Sequence, residues 1–202
     1  MPGAMSSEIE GRDVADPTIS IREPKYSDFV KLQRMLDNFD ERDKRLFHPL
    51  YIGFNKLSFF WLGYQLILLL NSWHVMSTSL MRIFPRLARF DLVAVNKKND
   101  VVGFAYLEVK ERFDRVKYSA EFGIALSPSL RGRRLASAMM KQLFQMGFKR
   151  GVRRIRLIVM SDNERAMKLY ARFGFKAVRI VLDKWQNKNY ESVEMVLDPL
   201  EF

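Results

Sequence analysis

LSPSLRGRRLASAMM, Leu126–Met140, runs from the end of an alternating apolar stretch through a bend holding proline and glycine into apolar residues at helical spacing. It reads as strand, basic turn, helix. The first turn of a helix has unpaired N–H groups and a partial positive charge, and glycine lets backbone approach closely, so such a unit can receive phosphate oxygens. Arg131, Arg133 and Arg134 add charge around Gly132. Taken alone, a solvated arginine-rich helix start explains the same residues, so the neighbouring pattern has to decide.

Upstream, KYSAEFGIAL sets Tyr118, Ala120, Phe122, Ile124 and Leu126 on one face of a strand and Ser119, Glu121, Gly123 and Ala125 on the other. Before it, DLVAV, the turn NKKND and VVGFAYLEV read as a hairpin, with a second polar turn expected around Glu111 to Arg115. Downstream, the helix places Leu135, Met139, Leu143 and Met146 on its apolar stripe. RIRLIVM is then a strand. SDNERAMKLYARFGF is a compact helix, with Ser161 and Glu164 in a capping-box pattern, Ala166, Leu169, Tyr170 and Phe173 buried, and Gly174 closing it. KAVRIVL and ESVEMVL follow as strands across the polar loop DKWQNKNY.

At the other end, TISIREP suits a short strand and YSDFVKLQRMLDNF a helix with Phe29, Leu32, Leu36 and Phe39 inward. The predicted architecture is α/β (α+β): a mixed, mostly antiparallel sheet of about six to seven strands flanked by helices. Residues 1–17 read as a loose polar tail, part of it compatible with a cloning remnant, and 18–202 as one domain. No secretory pattern opens the sequence, so a cytoplasmic location is expected. Leu57 to Met81 is uncharged and long enough for a bilayer, but Gly63, Tyr64, Gln65 and NSWHVMSTS interrupt it; a buried or groove-lining helix is expected, with membrane contact as the alternative.

Composition narrows the chemistry. Of 202 residues, 48% are hydrophobic, enough for one substantial core. The 34 Lys and Arg against 23 Asp and Glu give a net charge of +11, which favours anionic partners. There is no cysteine, and only His48 and His74, so thiolate chemistry is excluded and no metal centre is expected. Catalysis must rest on carboxylates, tyrosines, hydroxyls and backbone dipoles. The basic cluster Lys149, Arg150, Arg153, Arg154 and Arg156 lacks interleaved surface aromatics, which speaks against nucleic acid.

With these elements in order, the sequence resembles the GNAT superfamily of acyl-CoA-dependent N-acetyltransferases. The family's pyrophosphate motif, Gln/Arg-x-x-Gly-x-Gly/Ala, is matched by Arg131, Gly132, Arg133, Arg134, Leu135 and Ala136, except that Arg134 stands where glycine is usual. A helical φ is expected at Arg134, which leaves its backbone N–H available. Asn163, Ala166, Leu169, Tyr170, Gly174 and Phe175 match the family's N-x-x-A-x-x-L-Y-x-x-x-G-F stretch, the more specific of the two. The resemblance covers about Asp91 to Leu197 well; 18–90 corresponds to the acceptor side and 91–202 to the CoA-binding region.

The resemblance implies transfer of an acetyl group from acetyl-CoA to an amine, without metal. An alkyl ammonium with a pKa near ~10 must lose a proton before attack, and the departing thiolate benefits from a donor. It implies Glu121 as base, though an ordinary half-exposed strand residue fits that position equally, with Glu108 in reserve. Tyr170 resembles the general acid toward sulfur while also fitting the core stripe. Ile124, Ala125 and Leu126 would pair with the pantetheine arm and polarise the thioester. Asn163 would bond the cofactor or cap its helix, capping being preferred. The acceptor stays open, as does homodimer formation, and a non-catalytic CoA-binding module is the alternative class.

Overall fold

The computed structural model describes residues 18–25, 27–47, 89–114 and 117–198. The tail and the Leu57 to Met81 segment therefore lie outside the described residues. In chain order the elements are β1 (Ser20–Arg22), α1 (Asp28–Asp37), α2 (Glu41–Leu46), β2 (Arg89–Val95), β3 (Val101–Asp114), β4 (Lys117–Leu126), a 3-10 turn (Pro128–Leu130), α3 (Leu135–Lys149), β5 (Val152–Met160), α4 (Glu164–Arg172), β6 (Lys176–Trp185) and β7 (Lys188–Leu197). They make a seven-stranded sheet in the order β1-β2-β3-β4-β5-β7-β6. Every neighbour pair is antiparallel except β4 and β5. This is the mixed, mostly antiparallel sheet that the alternation patterns predict.

Alternation puts one apolar set on each face of the sheet. Ala120, Phe122, Ile124 and Leu126 enter the larger core with Leu135, Met139, Met140, Leu143 and Phe144 of α3 and Tyr170 of α4. Ala125, Val93, Phe104 and Tyr106 face the other way and meet Leu32, Met35 and Leu36 of α1. We call these the α3 face and the α1 face. Glu121 and Gly123 share the α1 face with Ala125.

Four local expectations are corrected. β3 continues to Asp114, so Glu111 to Asp114 are strand where a turn was expected. The stripe of α3 is wider than expected: Met140, Phe144 and Gly147 are buried with Leu135, Met139 and Leu143, whereas Met146 is only partly covered. The helix is wedged against β2, β3 and β5, and that width needs more than one line of side chains. DKWQNKNY is mostly strand; the reversal is Gln186 and Asn187, both with positive φ (47° and 63°). Two such residues twist a short hairpin in the sense its strands require. Ser161 does not cap α4. Asn163 does, its side-chain oxygen accepting the Ala166 N–H at 3.2 Å, while the Ser161 hydroxyl donates to the Glu191 carbonyl.

Candidate functional site

β4 and β5 are in register only at Tyr118↔Val152, Ser119↔Arg154, Ala120↔Ile155 and Glu121↔Arg156. Beyond that last pair β4 runs on to Leu126 beside β3, and β5 runs on to Met160 beside β7. The two strands thus open a wedge whose vertex is Glu121. From Phe122 to Leu126 no described strand claims the β5-facing edge of β4, leaving backbone donors and acceptors there for a ligand. Ile124, Ala125 and Leu126 lie on this edge. The Leu126 carbonyl has a partner already: Arg131 donates to it from Nε and Nη2 at 3.3 and 3.2 Å.

The open end of β4 leads directly to the amino terminus of α3. Gly132 has φ 87° and Arg134 φ 60°, and α3 begins at Leu135 with no side-chain cap. The expectation of a helical φ at Arg134 is therefore wrong. The chain reaches the helix by a left-handed residue on its doorstep, the conformation for which glycine is suited, and a side chain there costs about 1–2 kcal/mol. The turn keeps its form despite the arginine, so the first-turn N–H groups of Leu135 and Ala136 still point out of the helix end.

The basic side chains divide. Arg131 turns into the protein, with Nη1 donating to the buried Asp43 of α2 at 2.7 Å and the guanidinium 5.7 Å from the rings of both Phe39 and Phe47. It braces the loop against α2 and is not directed toward a phosphate. Arg133 and Arg134 are exposed beside the turn. Sequence reading missed Arg165, on the first turn of α4, whose guanidinium nitrogen lies 2.8 Å from where a Cβ of Gly132 would be. Gly132 is required by its φ, whereas the end of the flexible Arg165 side chain could shift to admit a Cβ. No spacing rule joins residues from two helices, so only their packing exposes this pairing.

Glu121 and Tyr170 flank the vertex from opposite faces. Glu121 is half-buried on the α1 face, with Arg156 Nη2 3.8 Å from its Oε2. Across β2, β3, β4 and β5 stand Arg89, Glu108, Glu121 and Arg156 in one row. Glu108 is bonded to Lys110 at 2.9 Å, which makes it the poorer base of the two. On the α3 face, the Tyr170 ring meets Phe122, the first β4 residue past the vertex, edge-on at 6.1 Å, and Phe175 at 5.9 Å. Burial pushes the Tyr170 hydroxyl well above the usual phenol range, so it stays protonated at neutral pH. Asn163 is occupied as the cap of α4. Among the described residues no group of His, Cys, Asp or Glu is arranged to hold a metal.

A mixed sheet with one parallel pair that splays onto a glycine turn and a helix amino terminus is an α/β architecture with a place for an anionic ligand. Residues 65–175, more than half of the chain, match the model of the acetyltransferase (GNAT) family, and the protein belongs to that family. A curated relative, the L-amino acid N-acetyltransferase AaaT of Escherichia coli, is 38% identical over 79 residues, which are 38% of this chain and 48% of that protein. The chain thus spans about half the length of the curated relative it matches. Among solved structures, YncA from Salmonella typhimurium, with its cofactor acetyl-CoA, superposes with a TM-score of 0.59 at 15% identity, over 90% of this chain and 94% of that one. Arabidopsis thaliana NAA60 in complex with a bisubstrate analogue gives 0.59 at 16% identity, over 90% and 98%. Vibrio cholerae spermidine N-acetyltransferase with CoA and spermine gives 0.56 at 15% identity, over 91% and 96%. At these identities the likeness shows a shared fold.

Proposed function

We propose that the protein transfers an acetyl group from acetyl-CoA to a primary amine. The observation that carries this reading is the wedge itself: β4 and β5 part at Glu121, and the opened edge of β4 runs to an uncapped helix terminus flanked by Gly132, Arg133, Arg134 and Arg165. An extended pantetheine arm can add to the β4 edge as a strand would, with its pyrophosphate on the Leu135 and Ala136 N–H groups. The cradle suits a diphosphate because it sets first-turn N–H groups beside Arg133, Arg134 and Arg165.

In this reading a backbone N–H of β4 between Ile124 and Leu126 polarises the thioester oxygen. Glu121 takes the ammonium proton, directly or through one water, and the freed amine attacks the acyl carbon. Collapse of the tetrahedral intermediate breaks the C–S bond; Tyr170 supplies a proton to the CoA sulfur, the nitrogen gives up its second proton to water, and the phenolate regains one from solvent. Arg131 holds the loop in place from behind. Residues 18–202 form one catalytic unit with 18–90 on the acceptor side, and a cytoplasmic enzyme, as monomer or homodimer, remains part of the proposal. Among the described residues no helix is long and apolar enough to cross a membrane. The named activity of AaaT supports L-amino acids as the first acceptors to try.

The test has two arms. Calorimetry should show saturable acetyl-CoA binding that weakens when Arg133 and Arg165 are both changed to Ala; absence of binding overturns the proposal. Thiol release should then be followed over L-amino acids, polyamines and peptide amino termini. With an active acceptor, Glu121→Gln should cut kcat roughly 100-fold with acetyl-CoA affinity unchanged. Binding without turnover anywhere would instead favour a CoA-binding module, the reading that the strained Arg134 supports.

A further inference from the structure

Next past the vertex on the α1 face is the row Asp91, Tyr106, Gly123, where β5 no longer pairs with β4. Tyr106 lies flat across Gly123. A Cβ built on Gly123 would fall 2.3 Å from Tyr106 Cε1 and 2.9 Å from its hydroxyl oxygen, so the ring occupies the place of that missing side chain. Arg89 covers the ring at 4.5 Å and is itself held by Asp91, its Nε donating to Oδ1 at 2.9 Å. Phe104 stacks alongside at 6.2 Å. Tyr106 is only 7% exposed as a residue, and its hydroxyl oxygen, which bonds to no described residue, is the part that reaches the surface.

The ring is clamped by Arg89, Phe104 and Gly123, so packing rather than a bond holds the hydroxyl beside the β4 edge at Gly123, where it is open to a ligand. Its surroundings mix both signs: burial first, then the Glu121 carboxylate, push the phenol above its usual range, Arg89 opposes them, and Glu108 and Asp91 add to the rise. A phenol that keeps its proton has lone pairs to offer a cation.

We infer that Tyr106, seated on Gly123, is an acceptor-contacting residue whose hydroxyl accepts a hydrogen bond from the incoming primary ammonium while Glu121 takes up the proton. The inference rests on the acetyltransferase reading and adds the acceptor's chemical class: a compact alkylammonium group, since the Tyr106 ring fills the floor of the wedge. Loss of Tyr106 removes one hydrogen bond to a charged group, about a tenfold effect on affinity. Gly123 acts through Tyr106 as a positioning residue, because any side chain there drives the ring aside.

The test titrates n-propylammonium chloride into protein carrying ζ-13C-labelled tyrosine, the Tyr106 signal being the one lost in Tyr106→Phe. The Tyr106 signal should move saturably with propylammonium and stay still with potassium chloride at equal ionic strength. Calorimetric affinity for propylammonium should fall roughly tenfold in Tyr106→Phe, with acetyl-CoA affinity unchanged. In Gly123→Ala, shown folded by circular dichroism, the signal should no longer respond. No saturable movement, equal movement with potassium, or undiminished affinity in Tyr106→Phe overturns the inference. Failure to bind acetyl-CoA would sink the acetyltransferase reading while leaving the propylammonium result standing. Turnover of an amine with Tyr106 unresponsive would sink this inference alone.

Discussion

Arg134 carries a side chain at a φ of 60°, one residue before α3. The strain of about 1–2 kcal/mol is partly offset against glycine, whose unfolded chain is freer by about 0.5–1 kcal/mol. Arg134→Gly should therefore stabilise the protein by about 0.5–1 kcal/mol in urea unfolding. A loss of stability would mean that contacts of the arginine side chain outweigh its backbone strain. Residue type at this position was readable, and so was its departure from the family pattern, but φ was not. Glu121 and Tyr170 could be singled out as candidates because their neighbours in sequence carry the pattern. Arg165 and Tyr106 were not, since what distinguishes them is a glycine on a different element whose missing Cβ each one fills.

Among the elements, α1 shows how a helix start is secured from outside. Asp28, 1% exposed, accepts the Lys25 N–H at 2.6 Å and two bonds from Arg22 of β1 at 2.5 and 3.0 Å. Burial opposes its charge, yet the bonds from Arg22 and Lys25 prevail and hold the carboxyl below its ordinary range. Its contribution is thus complete above the unfolded value near ~3.9 and is lost as pH falls through the lower folded value. Asp28→Asn should cost about 2 kcal/mol at neutral pH, and the gap to the parent protein should close in acid. Urea midpoints for both proteins across that range check it; a gap unchanged in acid would contradict the assignment. The helix itself was evident from the spacing of Leu32 and Leu36. Its tie to β1 was not, because Arg22 looked like any strand-end cation.

For the molecule as a whole, the wedge between β4 and β5 is a gap in the sheet that no strand among the described residues claims. A ligand that occupies it binds only the folded state. Acetyl-CoA at ~100 times its dissociation constant should add about 2.7 kcal/mol of stability, and for a chain of this size raise Tm by roughly 5–11 °C. Differential scanning calorimetry measures it, and an unmoved Tm would argue that the wedge is not the cofactor's place. The Arg131 to Asp43 bond is another whole-molecule feature: it links the loop before α3 to a helix far upstream.

Local chemistry was enough for the order of strands and helices, for the alternation that sorts β4 into two faces, and for the glycine turn and the tyrosine helix that follow it. Those features depend on residues a few positions apart, whose spacing is printed in the chain. Register and packing decided the rest. The pairing of β4 with β5 stops at Glu121, Tyr106 rests on Gly123, Arg165 covers Gly132, and Arg131 turns inward to Asp43. Each of these joins side chains on different elements, and a single bulge or a change of helix position would pair different ones. The shape of the site is therefore a property of the packed sheet and not of any one segment.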